Sequence, residues 1–472
     1  MITQDQYNVC KQTIRNQSIK IDLLNFQMQT VDELSGNCIS GSINIDANAD
    51  IRRTCDITLV VQDSSFDIQS GSKIWLDKYA KVNLGIESTK TGENIWFNYG
   101  VFMIDAPSWK FDAVTNTFSF QGLDLTAKLT GLRNGYLEGI PAQIPSGSNV
   151  RETLISTITQ LGGFNNYIIE ECRLADGTIQ PTPYDITIDQ GGTVWDIIVA
   201  LRDILSNYEA FFNENGIFVY QPIPTGENEA PIADDDIITQ NLISEDINTD
   251  FSSVKNVIEV YGHSKEPAHY SSSTTVSNNV YQLSIAEVTA YEDSVLYGFT
   301  APSIISSPSL KIGNLSSLPI VLSNGSAAII PEADAYYIVQ YQEVSNNFLF
   351  LGHQQSIGYA EDVNDESPFY VNGSVGKIRA VFFGGEYDNI LSDELAVERA
   401  NYELWLHTRL QDSVTLSCVP IHFLDVNQLI SHGIKNNQTQ LPYIIKSISV
   451  DLSESGTQSI NTIRYYPLYP AI

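Results

Sequence analysis

The stretch Tyr443-Ile444-Ile445-Lys446-Ser447-Ile448-Ser449-Val450-Asp451-Leu452 sets the terms for the whole chain. Ile444, Lys446, Ile448 and Val450 alternate with Ile445, Ser447, Ser449 and Asp451. A strand with one buried face needs that period of two. Glu454-Ser455-Gly456 reads as a turn, because glycine takes positive φ freely, and residues 458–466 read as the return strand. Ahead of this hairpin come a helix over residues 392–410 and a strand over residues 413–421. Leu424-Asp425-Val426-Asn427, with Leu429 and Ile430, fills the interval.

An earlier stretch, residues 99–121, has the same layout. Phe102-Met103-Ile104-Asp105 takes the place of Tyr443-Ile444-Ile445-Lys446. Trp109-Lys110-Phe111-Asp112 leads to a turn at Val114-Thr115-Asn116, and Thr117-Phe118-Ser119-Phe120 returns. A strand precedes each hairpin: residues 81–86 before the first, Val414-Thr415-Leu416-Ser417 before the second. We read the two as diverged copies of one β unit; the alternative is that any two long hairpins look alike. Two copies so far apart exclude a fixed-period array.

At 472 residues the chain has room for two to four domains. Hydrophobic residues make up 43% and charged residues 17%, a globular composition. The formal charge of −31 argues against a protein that grips duplex DNA, since that takes Lys and Arg on the phosphates. It suits a surface that nucleic acid passes without sticking, and equally a surface that is simply soluble. The five cysteines, Cys10, Cys38, Cys55, Cys172 and Cys418, are odd in number and lack metal spacing. They suggest neither a disulfide framework nor a zinc site, and fit folding in a reducing cytosol. Residues 1–16 are polar, without an apolar signal core. No run approaches the ~20 apolar residues of a membrane span.

Taken in order, the first 131 residues read as strands at 18–24, 41–46 and 56–61, closed by the first hairpin. Short strands and polar turns point to a barrel or sandwich. Residues 135–147 read as a Gly/Pro linker. Val150, Leu154, Ile158 and Leu161 then predict a helix stopped by Gly162-Gly163. A second helix starts at Thr193, with Asp196 placed for a capping box and Trp195, Ile198, Leu201 and Leu205 as its apolar stripe. Phe211-Phe212, an Asn-Gly type turn over residues 213–216, and Ile217-Phe218-Val219-Tyr220 predict a hairpin. Residues 141–222 thus read as a small α+β domain. A strand follows at 254–261. Residues 264–388 turn rich in Ser, Asn, Gly and Tyr, with strands expected at 279–283, 335–341, 347–351 and 377–383. This all-β region reads as inserted before the last helix. Ser392 caps that helix, Asp393 and Glu394 favour its positive end, and Leu395, Tyr402, Trp405 and Leu406 are its expected buried face.

Catalytic constellations are thin in this sequence. The six histidines are His263, His269, His353, His407, His422 and His432; His407 sits in a last helical turn, where a cation is favoured. No zinc-protease helix, nucleophile elbow, phosphate loop or dinucleotide fingerprint occurs. Gly191-Gly192 at a helix start is an anion-site candidate. Asp234-Asp235-Asp236 reads as a solvated acidic loop before it reads as a cation site. Glu170-Glu171 and residues 234–236 are the candidates for a glycosidase carboxylate pair. Tyr270-Ser271-Ser272-Ser273 and Tyr336-Tyr337 are candidates for a recognition surface, with core packing as the plainer reading. No catalytic, cofactor or metal residue is assigned, and the chain is expected not to be an enzyme.

Three segments carry a family resemblance: residues 99–128, 194–220 and 394–467. In them the chain resembles the phage tail baseplate hub family, found in siphophage tail-associated proteins, contractile tails and phage-derived particles. The resemblance implies a mainly β fold with a smaller α+β part. Two tail-tube-like β-barrels are expected, at 1–134 and at 246–268 with 392–472. An α+β domain is expected at 135–245 and an inserted peripheral all-β region at 269–391. It further implies a homotrimer whose six quasi-equivalent barrels join a hexameric tail tube or distal tail protein to a threefold tip. Fibre, tip and tape-measure proteins are the other expected partners. DNA is expected to cross the central channel without specific binding, and host wall contact is possible. No cofactor is implied. The expected place is the virion tail tip, after assembly in the host cytoplasm. The chain stops at Ile472, so it is expected to be a bare hub without a fibre or a wall-cutting domain. The alternatives are a wall-directed glycosidase and a carbohydrate-binding tail adhesin.

Overall fold

Alternating side chains build the opening of the chain. In the strand Arg53–Val60, residues 53, 55, 57 and 59 are buried and residues 54, 56, 58 and 60 are not. That is a strand with one covered face. The computed structural model describes residues 2–34, 37–60, 68–111, 116–139, 141–174, 177–205, 207–226, 229–271, 273–434, 439–453 and 456–466. Val61, Asp112, Val114, Thr115, Ser272, Glu454 and Ser455, which figure in the expected strand, turns and loop, lie outside the described residues.

A short helix, α1 (Gln4–Val9), precedes β1 (Gln17–Leu24), β2 (Thr30–Leu34), β3 (Asn37–Asp46), β4 (Arg53–Val60), β5 (Tyr79–Glu87), β6 (Asn94–Phe111) and β7 (Asn116–Asp124). An α+β layer follows: β8 (Ala142–Ile144), α2 (Val150–Ser156), β9 (Tyr167–Ile169), β10 (Ile186–Ile188), α3 (Val194–Arg202), β11 (Tyr208–Phe212) and β12 (Phe218–Pro222). Then come α4 (Asp235–Asn241), β13 (Leu242–Asp250) and β14 (Val257–Ser264). The inserted strands are β15 (His269–Ser271), β16 (Thr274–Ser277), β17 (Val280–Leu283), β18 (Leu296–Ala301), β19 (Ser309–Ile312), β20 (Leu318–Val321), β21 (Ala335–Gln342) and β22 (Asn347–His353). The chain closes with β23 (Gln355–Glu361), β24 (Arg379–Phe383), α5 (Asp393–His407), β25 (Gln411–Cys418), β26 (Leu429–His432), β27 (Leu441–Asp451) and β28 (Gln458–Arg464). The mainly β class with a smaller α+β part is the class of the fold.

One twelve-stranded sheet dominates, in the order β13-β25-β28-β27-β3-β4-β7-β6-β5-β1-β2, with β26 beside β27. Its opening and closing strands meet where β27 pairs antiparallel with β3, from Ser447 opposite Asp46 to Asp451 opposite Ser42. A single apolar core lines its inner face, drawing Ile43, Ile57 and Phe118 from one half and Leu416, Ile448 and Val450 from the other. The alternation in β27 does not run straight through. A bulge between Ile445 and Ser447 consumes Lys446, so Tyr443 and Ile445 share the inner face with Ile448 and Val450, while Ile444 packs on the other side with Leu429 and Tyr465.

The strand read at 254–261 does not enter this sheet. As β14 it pairs with β23 and β24. The α+β layer, α5 and the β14 sheet share a second core with the outer face of the large sheet, including Val101, Met103, Trp195, Ile198, Ile258 and Leu395. Strands β15–β22 form an eight-stranded sheet around their own core. Its two ends lie side by side, since Ser264 opposes Gln355 across the β14–β23 ladder.

Helix details follow the capping chemistry. Thr193 and Asp196 close a capping box on α3, and the Ser392 hydroxyl accepts from the Leu395 amide on α5. The buried face of α5 is Leu395, Ala396, Ala400 and Glu403; Tyr402, Trp405 and Leu406 are only part-covered. Small alanines let the helix lie directly on β23, where a Cβ on Gly358 would come 1.9 Å from the Ala396 carbonyl oxygen. After α2 the chain continues as a π turn over Thr157–Leu161, and the wider turn leaves Leu161 exposed, off the expected stripe.

Candidate assembly interface

The large sheet contains one strand order twice. In chain order, β3, β4, β5, β6 and β7 lie in space as β3-β4-β7-β6-β5. In the same way β13, β25, β26, β27 and β28 lie as β13-β25-β28-β27, with β26 on β27. The counterpart of Val414-Thr415-Leu416-Ser417 is therefore β4, not the strand at 81–86, whose counterpart is the short β26. Residues 251–410 separate β13 from its neighbour β25.

The ladders match at the opening bulge and along one full rung, while the bulge of β6, between Asp105 and Ser108, falls two positions later than that of β27, between Ile445 and Ser447. Both opening strands carry a bulge after their first pairs, between Cys38 and Ser40 and between Leu242 and Ser244. Aligned there, Ser40-Gly41-Ser42-Ile43-Asn44-Ile45-Asp46 falls on Ser244-Glu245-Asp246-Ile247-Asn248-Thr249-Asp250, with Ser, Ile, Asn and the last Asp identical. One rung of hydroxyls crosses four strands in each copy. It runs Ser40, Thr58, Ser119, Ser108 in the first and Ser244, Ser417, Ser459, Ser449 in the second. Trp109 thus matches Val450, and Phe111 matches Leu452.

The matched positions differ in what covers them. Val450 opposes Ile43 across the β27–β3 junction, and both are fully buried. Among the described residues, β13 pairs with β25 alone, and residues 108–111 of β6 pair with β7 alone, because the β5 ladder ends at Met103. On these two edges Trp109 is 41% exposed, Phe111 71%, Ile247 42% and Ile243 54%. An edge with apolar side chains and unpaired backbone is a template for another strand.

A buried charge cluster lies at the start of β4. Arg52, in the turn between β3 and β4, and Arg53, the first residue of β4, are both buried. Arg52 Nη2 lies 2.8 Å from Glu209 Oε2 and its guanidinium stacks on Phe211. Glu209 also accepts from Asn427 at 2.5 Å and Gln221 at 2.9 Å. Arg53 pairs with Asp425 and donates its amide to Asp124. The cluster fastens the large sheet to the α+β layer.

The candidates for chemistry are dispersed. Glu170 borders an open cleft of about 580 Å³ with Glu214, Glu229, Glu209 and Asp425, but the last two are held by the arginines, and residues 234–236 do not line it. Asp234, Asp235 and Asp236 cap and open α4 rather than forming a loop, and Asp234 and Asp236 are solvated as expected. Asp234 caps α4, accepting from the Ile237 amide at 3.0 Å and from the Tyr7 hydroxyl. Burial raises its pKa, but these hydrogen bonds outweigh that and hold it below the usual value. Asp235 accepts from the Gly433 amide at 2.7 Å and lies 3.2 Å from His432 Nδ1. Behind Gly191-Gly192 the first turn of α3 is occupied by its own capping box.

His422 is buried against the Tyr99 hydroxyl at 2.7 Å, and burial pulls its pKa down to about 3. His407 is raised, first by its hydrogen bond to Glu403. His353 contacts Asp393 at 2.6 Å, His269 stacks on Tyr297, and His263 is exposed. Of the tyrosine pair, Tyr337 is wholly buried, and Tyr270 and Tyr336 rest against each other. Among the described residues no group of three or more His, Cys, Asp or Glu side chains is placed to hold a metal ion.

Residues 366–469 match a family described as "Domain of unknown function (DUF5048)". No curated protein matches the chain. Among solved structures, the tail protein from Neisseria meningitidis MC58 is similar over 95% of this chain and 97% of its own, with a TM-score of 0.51 and 9% identity. The prophage MuSo2 43 kDa tail protein from Shewanella oneidensis is similar over 94% and 98%, with a TM-score of 0.49 and 10% identity. Prophage tail protein gp18 from Listeria monocytogenes EGD-e is similar over 94% of both chains, with a TM-score of 0.42 and 10% identity. The fold, nearly end to end, is that of the Neisseria tail protein.

Proposed function

We propose that this chain is a structural hub of a phage tail baseplate. Three copies form a ring in which two similar β units per chain present six near-equivalent faces. That ring joins a sixfold tail tube or distal tail protein to a threefold tip and surrounds the DNA path. The observation that carries the reading is the strand order repeated within one sheet, its two copies fused at β27–β3. A duplicated unit is what a threefold object needs in order to mate with a sixfold one. The fold shared with the Neisseria tail protein supports a place in a tail.

In this reading the protein acts by position, not by catalysis, in the virion tail tip, and is assembled in the host cytoplasm. The inserted β region sits away from the ring axis and meets neighbouring tip, fibre or tape-measure proteins, or the host wall. Part of the excess negative charge, −31 per chain, faces the channel and keeps DNA sliding. The mass of the purified chain in solution tests the core of this. A trimer is expected, and a monomer at every concentration sinks it. A neutral or basic lumen in the assembled ring would refute the role given to the acidic charge.

A further inference from the structure

We propose that copies of this chain join head to tail by strand addition, the free edge of β13 in one copy pairing antiparallel with residues 108–111 of β6 in the next. The register is Ser108 opposite Asn248, Trp109 opposite Ile247 and Lys110 opposite Asp246. The inference deepens the hub reading and rests on it for the number of copies.

The template is the junction inside each chain. There β27, the fourth strand of one copy of the repeat, pairs with β3, the first strand of the other: Ser449 opposite Asn44, Val450 opposite Ile43, Asp451 opposite Ser42. The hydroxyl rung maps Ser449 onto Ser108, and the matching bulges map Asn44 onto Asn248. Carrying the map anchored at the opening bulges across one step yields the register above. Three independent features of the open edges fit it. Trp109 opposes Phe118, and Ile247 opposes Val414, both core residues, so each apolar side chain lies on the inner face of its own sheet. Each stands exposed where its internal counterpart is sealed: Trp109 at 41% against Val450 at 0%, Ile247 at 42% against Ile43 at 0%. Lys110 and Asp246, both exposed, meet as opposite charges on the outer face. Pairing on two different edges is heterologous, and it closes into a ring when the rotation per step divides a full turn. Both of these edges would then be paired.

Cysteine pairing tests this in the full chain. Cys10, Cys55, Cys172 and Cys418 are buried, and Cys38 is replaced by Ser throughout so that it does not compete. Ser108→Cys and Asn248→Cys are made singly and together, and oxidised in the assembled state. Cross-strand partners lie within disulfide reach. The double variant is expected to give a covalent ring of trimer mass, and a mixture of the two single variants a linked pair. Ser108→Cys with Thr249→Cys, one residue out of register and on the opposite face, is expected to give neither. Separately, Lys110→Asp is expected to raise the concentration of half-assembly severalfold, and adding Asp246→Lys to restore it. A trimer of the Ser108→Cys, Asn248→Cys variant in which the two introduced thiols do not link, or link no better than the off-register pair, overturns the edge pairing and leaves the hub reading standing. A chain that stays monomeric overturns both.

Discussion

Arg52 and Glu209 form an ion pair sealed between the β3–β4 turn and the α+β layer, each about 5% exposed at the side chain. Truncating one partner of such a pair leaves the other charged, dry and alone. Glu209→Ala is expected to cost about 3–5 kcal/mol, read as a lower urea midpoint. Glu209→Gln loses the charge but keeps one acceptor oxygen for the amides that Asn427 and Gln221 donate, and is expected to fall between the alanine variant and the wild type. An alanine variant as stable as the wild type would show that the cluster is not what fastens the layers.

Gly358 touches α5 backbone to backbone. A methyl group there would sit 1.9 Å from the Ala396 carbonyl oxygen, and a backbone atom cannot swing aside. Gly358→Ala is expected to push α5 off β23 and destabilise by about 1–3 kcal/mol, as overpacking does. Thermal unfolding of the purified variant measures it.

His422 makes stability depend on acid. Its folded pKa of about 3 lies below the ordinary 6.5 because burial, and then the Arg15 charge, disfavour the imidazolium. The unfolded chain therefore binds a proton that the folded chain refuses. Stability is full above the unfolded value and falls as the pH drops from about 6.5 towards 3. His422→Gln is expected to flatten that part of the profile. Urea midpoints at pH 7 and pH 4 compare the slopes, and equal slopes in the two proteins would refute the assignment.

The inserted sheet leaves and rejoins the body through neighbouring residues. Replacing residues 267–352 by a short Gly-Ser linker is expected to leave a folded chain that still forms trimers, because Ser264 and Gln355 already face each other. Loss of the trimer on this deletion would place the insertion within the ring contacts.

Much of this molecule is legible in its residues, and the failures have physical causes. The two long hairpins, the α3 capping box and the Ser392 cap follow from local rules of alternation and hydrogen bonding. The strand β13 escapes because its burial pattern is almost wholly exposed, so Leu242–Asp250 looks like a loop. Only the kinship of residues 244–250 with 40–46 betrays it. The short β26 carries too few residues to alternate. A single bulged residue, Lys446, shifts the phase of β27, which period-two reading cannot foresee. Asp234 and Asp236 are exposed as expected, but the contacts of Asp234 with Tyr7 and of Asp235 with Gly433 join residues far apart in the chain, which local reading cannot see.

The ladder between β27 and β3 has a consequence for synthesis. Ser449 bonds Asn44 across 405 positions of chain. While the ribosome makes everything between, the flank of β3 waits without its mate, a sticky ribbon in a crowded cell. Premature stops before residue 441 would release that ribbon permanently, so truncated products of this gene should clump rather than fold, and a host chaperone that shields nascent strands should improve its yield.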